Sequence, residues 1–184
     1  GLSRATACDK SAWLHNALSH FASLVKLESG SALLDLKKYY ENISHNELRA
    51  EAAHAGFPDV LLRALCCVYR APRRAVLQGC TSEPLEANGT VIAGCSCATS
   101  LAKLMLLALL RKAAAAAPIV VLKNVIDDVS FHAVGSLGIV ARELPQAFNA
   151  VADGVVAKGL PISWGKAGFL ASSTELAVQL CASW

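Results

Sequence analysis

Residues 119–134 read IVVLKNVIDDVSFHAV, and the fold of the chain turns on what they form. Two β-branched, apolar runs flank an adjacent pair of carboxylates, Asp127 and Asp128. Runs of that length and composition are strands, so the stretch predicts a hairpin of 119–126 and 129–134 with both acids at its tip. Adjacent carboxylates at the end of buried strands repel each other and lose hydration. That costs several kcal/mol unless a cation compensates. Asp is also favoured in ordinary turns, so the pair by itself leaves a plain hairpin open beside a cation site.

A second costly acid lies upstream. In SALLDLKKYY, residues 31–40, a short apolar strand over Ala32–Leu36 carries Asp35 near its C-terminal end. Before it, residues 11–27 set Trp13, Leu14, Leu18, Phe21, Leu24 and Val25 on one stripe at helical spacing, and Glu28-Ser29-Gly30 closes that helix. After it, Ser44-His45-Asn46-Glu47 matches a capping box and starts a helix that stops at Gly56. Pro58-Asp59 opens another helix through Arg70, which Pro72 closes. Residues 74–87 predict two short strands around Gly79-Cys80-Thr81-Ser82, and Asn88-Gly89 is a turn signal. Helices are predicted over about 98–116 and 142–158, the second stopped by Gly159. A last strand pair brackets Trp164-Gly165-Lys166. This order is α+β, an antiparallel sheet with helices on one face and no linker to mark a domain boundary within 1–184.

The 184 residues suit one domain of ordinary size. With 54% hydrophobic and 17% charged residues, and a mean hydropathy of +0.44, the chain is not a disordered one. Its most apolar stretch, Leu101–Val121, is broken by Lys103, Arg111, Lys112 and Pro118. A span needs roughly 20 apolar residues in a row, so a buried helix and no membrane is expected. The start at Gly1, without Met or a leader pattern, implies a piece of something longer. Seven cysteines, at 8, 66, 67, 80, 95, 97 and 181, form no C-x-x-C and no zinc pattern, so free thiols are expected. The formal charge of +3 demands no anionic partner. Arg70, Arg73 and Arg74 make the densest basic cluster, open to phosphate contact or to plain solvation.

From about Ala7 to Leu180 the sequence resembles the palm and part of the fingers of reverse transcriptases, of the kind encoded by non-LTR retrotransposons. ALLDLKKYYENIS is similar to the first palm motif, with Asp35, Tyr40 and Glu41 in its marked places. NVIDDVSF is similar to the aromatic-x-D-D hairpin, with Asp127 and Asp128 as the pair. AGCSCATSLAKLMLLALL is similar to the motif that opens a long helix, with Gly94 on its glycine. GLPISWGKAGF is similar to the later G-L…K segment, and Lys166 falls on its lysine. Each motif is short; their order spans nearly the whole chain.

The resemblance implies an RNA-directed DNA polymerase working on an RNA template, a DNA primer and dNTPs. It implies that Asp35 and Asp127, with Asp128, bind two Mg²⁺ ions (Mn²⁺ being an alternative). Tyr40 would be the steric gate against a ribose 2′-hydroxyl, and Lys166 would neutralise or protonate pyrophosphate. The backbone at Gly94 would pass close to template or nucleotide. An intracellular place follows from the resemblance alone, nuclear and cytoplasmic being left open. Val125 replaces the usual aromatic, Ala93 the usual Gln, and Cys95-Ser96-Cys97 the usual residues before the helix. No thumb is expected after Trp184 and no complete basic fingers before Gly1. Beside this enzyme reading stands a catalytically inactive palm-like module that binds RNA or a protein, and a small Ala/Leu-rich helical interaction domain is a third.

Overall fold

The computed structural model describes residues 7–86 and 90–183, with side chains from residue 12 onward. The expected Asn88-Gly89 turn and the side chain of Cys8 lie outside the described residues. In chain order the elements begin with α1 (Ala7–Leu24), β1 (Glu28–Asp35), α2 (Tyr39–Asn42), α3 (His45–His54) and α4 (Asp59–Arg70). Then come β2 (Val76–Leu77), β3 (Cys80–Thr81), α5 (Ala98–Ala116), β4 (Val120–Val125) and β5 (Asp128–Gly135). The chain closes with α6 (Leu137–Ala157), β6 (Gly168–Ala171) and α7 (Thr174–Cys181). Two compact units emerge: one built from the chain up to Lys37 and from Leu109 on, the other from Lys38–Ala108.

The first unit is α+β, a four-stranded sheet of order β4-β5-β1-β6 in which every pair is antiparallel. Alternation along the strands sorts its side chains onto two faces. Ala32, Leu34, Val129, Phe131 and Ala133 are buried on one of them. Against that face lies α6, whose Val140, Leu144, Ala147, Phe148, Val151 and Val155 repeat at helical spacing. The rings of Phe131 and Phe148 stand 5.6 Å apart, and those of Phe148 and Phe169 5.2 Å. Gly30 permits the close approach of α6: a Cβ there would come within 2.9 Å of Leu144 Cδ2 and 3.1 Å of Val140 Cγ1. Helix α6 starts five residues before the position expected from sequence and carries Pro145 inside it. Burial of a continuous apolar stripe outweighs the missing hydrogen bond of the proline.

The helices are not confined to that face. Ser31 and His132 pair across β1 and β5 and point to the opposite side. There the Ser31 hydroxyl lies 2.7 Å from His132 Nδ1, and the ring of His15 on α1 lies 4.9 Å from that of His132, tilted by 36°. Helix α1 therefore covers part of the second face, and it does so with a different stripe from the one expected. Trp13, Phe21 and Leu24 are 70%, 53% and 69% exposed, while Ala22 is buried and Leu14, His15 and Leu18 are half-buried. The helix also ends earlier than expected, at a left-handed Lys26 (φ 56°) with Leu27 N–H donating to Ala22 C=O at 2.9 Å. Glu28, Ser29 and Gly30, taken from sequence as a helix stop, are the first residues of β1.

His132 is 1% exposed, and its Nε2 has no hydrogen-bond partner. Burial, and then the neighbouring His15, push it down to about 4. The unfolded chain, with an ordinary histidine near 6.5, therefore binds the extra proton between those values, and stability is lost as pH falls from about 6.5 towards 4. Urea titrations across that window are expected to show the fall in wild type and a shallower one in His132→Gln. Equal slopes would refute it.

In the second unit, α3 starts at Ser44, whose hydroxyl accepts from Asn46 N–H at 3.2 Å. It ends on Gly56 (φ 69°), with Phe57 N–H bonded to Ala52 C=O at 2.9 Å. Tyr39, Ile43, Leu48, Leu62, Cys66 and Tyr69 form its core with the first half of α5. The Tyr39 hydroxyl donates to Ala102 C=O at 2.7 Å. The β2–β3 hairpin turns at Gln78-Gly79, two residues before the expected turn, because both residues hold positive φ (49° and 81°) and a two-residue loop of this kind favours Gly at its second place. Among the described residues no helix is long and apolar enough to cross a membrane.

Candidate active site

The strand register decides where the acids meet. Asp35, the last residue of β1, is the cross-strand partner of Asp128, the first residue of β5. The two carboxylates thus share one face and one end of the sheet. The hairpin tip is Ile126-Asp127 rather than the expected Asp127-Asp128, since β4 and β5 close on the Val125–Asp128 pair. Ile126 carries a positive φ of 62°, a strained conformation for a β-branched residue. The Asn124 side chain supports it by donating to Ile126 C=O at 3.0 Å and Asp128 C=O at 3.4 Å. Asp127 sits in the turn itself, and its C=O accepts from Leu36 N–H at 3.2 Å.

The residues around Trp164 do not pair with each other as a hairpin. Ile162 bridges to Leu36, and β6 pairs with β1, leaving 163–167 as a loop over the end of β1. Ser163 N–H donates to Asp35 C=O at 2.8 Å, and Lys166 N–H to Ser163 C=O at 2.8 Å. This turn brings Lys166 Nζ to 3.2 Å from Asp35 Oδ2. The lysine is 74% exposed and the Asp35 side chain 17%, so the ion pair is worth about 1 kcal/mol at most. Ser163, which no periodicity marks, also gives its hydroxyl to the Asp35 carboxylate.

These contacts set the charges apart. The Ser163 hydroxyl, and then Lys166, hold Asp35 below the ordinary carboxylate range against the opposing effect of burial. Asp128 is pushed up, by burial first and then by the charges of Asp127 and Asp35. Of the two carboxyl groups facing each other, Asp35 is therefore the easier to ionise and Asp128 the harder. Both line a cavity of about 410 Å³ with Leu33, Val125, Ser130 and Lys166.

Among the described residues no three of His, Cys, Asp or Glu are arranged to hold a metal ion. The donor set of paired carboxylates suits a hard cation that keeps waters and takes oxygens from substrate phosphates, as Mg²⁺ does. The like-charge repulsion at Asp128 is the cost such a cation would relieve.

Tyr40, Gly94, Arg70, Arg73 and Arg74 belong to the second unit. Tyr40 is half-buried, with its C=O accepting from Val91 N–H at 3.2 Å. Gly94 has a φ of 85°, and nothing lies within 4 Å of a Cβ placed there. Two of the three arginines are engaged by backbone: Arg73 donates to Tyr69 C=O at 2.9 Å and Arg74 to Ser82 C=O at 3.2 Å. Arg70 instead lines a cavity of about 360 Å³ with Asn42, His45 and Thr90.

Two solved telomerase structures from Candida tropicalis have a similar fold. The apo telomerase truncated from its C-terminal domain aligns with a TM-score of 0.64 and 12% identity, over 92% of this chain and 36% of that one. The telomerase in complex with a TWJ fragment of telomeric RNA aligns with a TM-score of 0.60 and 10% identity, over 86% and 29%. This chain spans about a third of the length of these structures. No family model matches the sequence, and no curated protein does either. Telomerase is related to reverse transcriptases, so the fold is reverse-transcriptase-like.

Proposed function

We propose that this chain is the palm of an RNA-directed DNA polymerase of the non-LTR retrotransposon kind. It would join dNTPs to the 3′-hydroxyl of a DNA primer paired to an RNA template. The observation that carries this reading is the in-register pair of Asp35 and Asp128 with Asp127 in the adjoining turn, at one end of a sheet whose fold resembles telomerase. The telomerase structure that contains telomeric RNA supports RNA as a partner.

Asp35, Asp127 and Asp128 would hold Mg²⁺, with Mn²⁺ as the alternative. Bound there, two such ions supply charge stabilisation at the primer oxygen, the transferred phosphate and the leaving pyrophosphate. The chain's own residues prepare that chemistry. Ser163 keeps Asp35 ionised and fixed in direction, and the strand register holds Asp128 opposite it. Asp128, harder to ionise than an ordinary carboxyl, would be favoured in its charged form by a cation held there. Lys166, on an exposed loop, is free to exchange Asp35 for a departing anionic phosphate. Tyr40 would exclude a ribose 2′-hydroxyl, Gly94 would let the strand or nucleotide pass close to the backbone, and Arg70, Arg73 and Arg74 would meet phosphates.

A second reading, a palm-like module that binds RNA or a protein without catalysis, is favoured by one observation. Asp35 already has a cation, the Lys166 ammonium, and no third carboxylate completes a metal cage among the described residues. Primer extension on an RNA template separates the two. Incorporation that requires Mg²⁺, stops with a chelator and is lost in Asp127→Asn is expected. Incorporation equal in wild type and Asp127→Asn would sink the role given to that residue, and RNA binding with no incorporation would establish the second reading.

A further inference from the structure

The turn that carries Asp127 is built on a residue unsuited to it. Strands β4 and β5 close on the Val125–Asp128 pair, leaving Ile126 and Asp127 as a two-residue loop. Ile126 has a positive φ of 62°, whereas Asp127 does not share it. Positive φ at the first central place alone is the pattern of a type II′ turn, in which glycine usually holds that place. The β2–β3 hairpin meets its demand for positive φ with Gln78-Gly79, an unbranched residue followed by glycine. Ile126 meets it with a β-branched side chain, which crowds its own backbone there. Left to itself, Ile126 would relax to negative φ and the turn would open.

Hydrogen bonds on either side of Asp127 stand against that relaxation. The half-buried Asn124 amide, one residue before the closing pair, donates to Ile126 C=O at 3.0 Å and to Asp128 C=O at 3.4 Å. It fixes the plane of the Ile126–Asp127 peptide, whose rotation is how one turn type becomes another. The peptide that follows is held from the end of β1: Leu36 N–H, next to Asp35, donates to Asp127 C=O at 3.2 Å. Asp127 is thus tied to the place where Asp35 lies, and only while the turn keeps its shape.

We propose that Asn124 is a positioning residue for the acidic cluster. Its amide keeps Ile126 in the left-handed conformation and so keeps Asp127 at the end of β1 with Asp35 and Asp128. Asn124 acts through backbone carbonyls and needs no charge of its own. A role confined to finishing β4 would make the identity of residue 126 irrelevant, whereas a clamp on a strained turn becomes dispensable once the strain is removed. The consequence for nucleotide addition rests on the polymerase reading; the consequence for the turn does not.

Amide hydrogen exchange on the folded chain, without metal or nucleic acid, reads the turn directly. In Asn124→Ala, Leu36 N–H is expected to lose the protection that Asp127 C=O gives it, while amides at the centres of β1 and β5 keep theirs. Asn124→Ala combined with Ile126→Gly is expected to recover that protection, because glycine holds positive φ without a clamp. Mn²⁺ alone, followed by the electron paramagnetic resonance of the free ion, is expected to bind about 10–100-fold more weakly to Asn124→Ala, the range for losing a group that orients a metal ligand. The double variant regains that affinity. Primer extension follows the same order, with a loss of about 10²-fold in the single variant. Unchanged Leu36 exchange in Asn124→Ala, or a double variant no better than the single one, would overturn the proposal. A wild type that neither binds Mn²⁺ nor extends a primer, yet shows the expected exchange, would remove the polymerase reading and leave Asn124 as the clamp of this turn.

Discussion

Asp35→Asn is expected to lower primer extension by about 10³-fold, the upper range for removing one electrostatic stabiliser of a transition state. The substitution preserves volume and keeps an oxygen that the Ser163 hydroxyl can still meet. What it removes is the negative charge that the Ser163 hydroxyl and Lys166 preserve against burial. Ser163 and Lys166 both favour the ionised form. The structural cost is small because the Asp35–Lys166 ion pair is exposed on the lysine side. Sign matters here. A depressed carboxylate contributes stability above its unfolded value of 3.8 that is lost as pH falls below it. At neutral pH the variant is therefore expected to lose under about 1 kcal/mol in urea unfolding while extension collapses. Extension within twofold of wild type would remove Asp35 from the reaction.

Asp128→Asn is expected to move activity and stability in opposite directions. Extension falls by about 10²–10³-fold, whereas the melting temperature at pH 7 rises by about 1–3 °C. The rise follows from a carboxyl group pushed up by burial and by Asp127 and Asp35, so that ionising it at neutral pH destabilises the fold. An amide carries no charge to repel. The gain stays small because Asp128 is exposed and solvent screens the repulsion. Below the carboxylate range wild type is protonated too, and the difference is expected to vanish. A variant less stable than wild type at pH 7 would show that the Asp35–Asp128 contact is not a repulsive one, and with it the case for a cation there would weaken. Differential scanning calorimetry at pH 7 and at low pH reads both outcomes.

Much of the candidate site is legible in the sequence. Asp35 at the end of an apolar strand and Asp127-Asp128 inside an apolar hairpin stand out because charge is costly there. Gly56 and Gly159 end their helices as expected, each in a left-handed conformation that favours glycine. The misses have equally specific causes. Trp13, Phe21 and Leu24 share a helical face of α1, yet all three are exposed. Hydrophobic periodicity reports that a face exists and does not report which way it turns. Ser163 carries no periodicity at all, and only the Leu36–Ile162 bridge shows why it reaches Asp35.

By itself the sequence determined the α+β class, the strands that carry acids, and the set of carboxylates, because burial cost and period are local properties of the chain. Tertiary structure alone decided which acid faces which. A one-residue change of register sends every side chain of a strand to the other face, and the Val125–Asp128 closure set Asp128, rather than the turn residue Asp127, opposite Asp35. It also decided that a lysine and a serine from a distant loop would hold Asp35 charged, since that loop meets β1 only once β6 has paired with it.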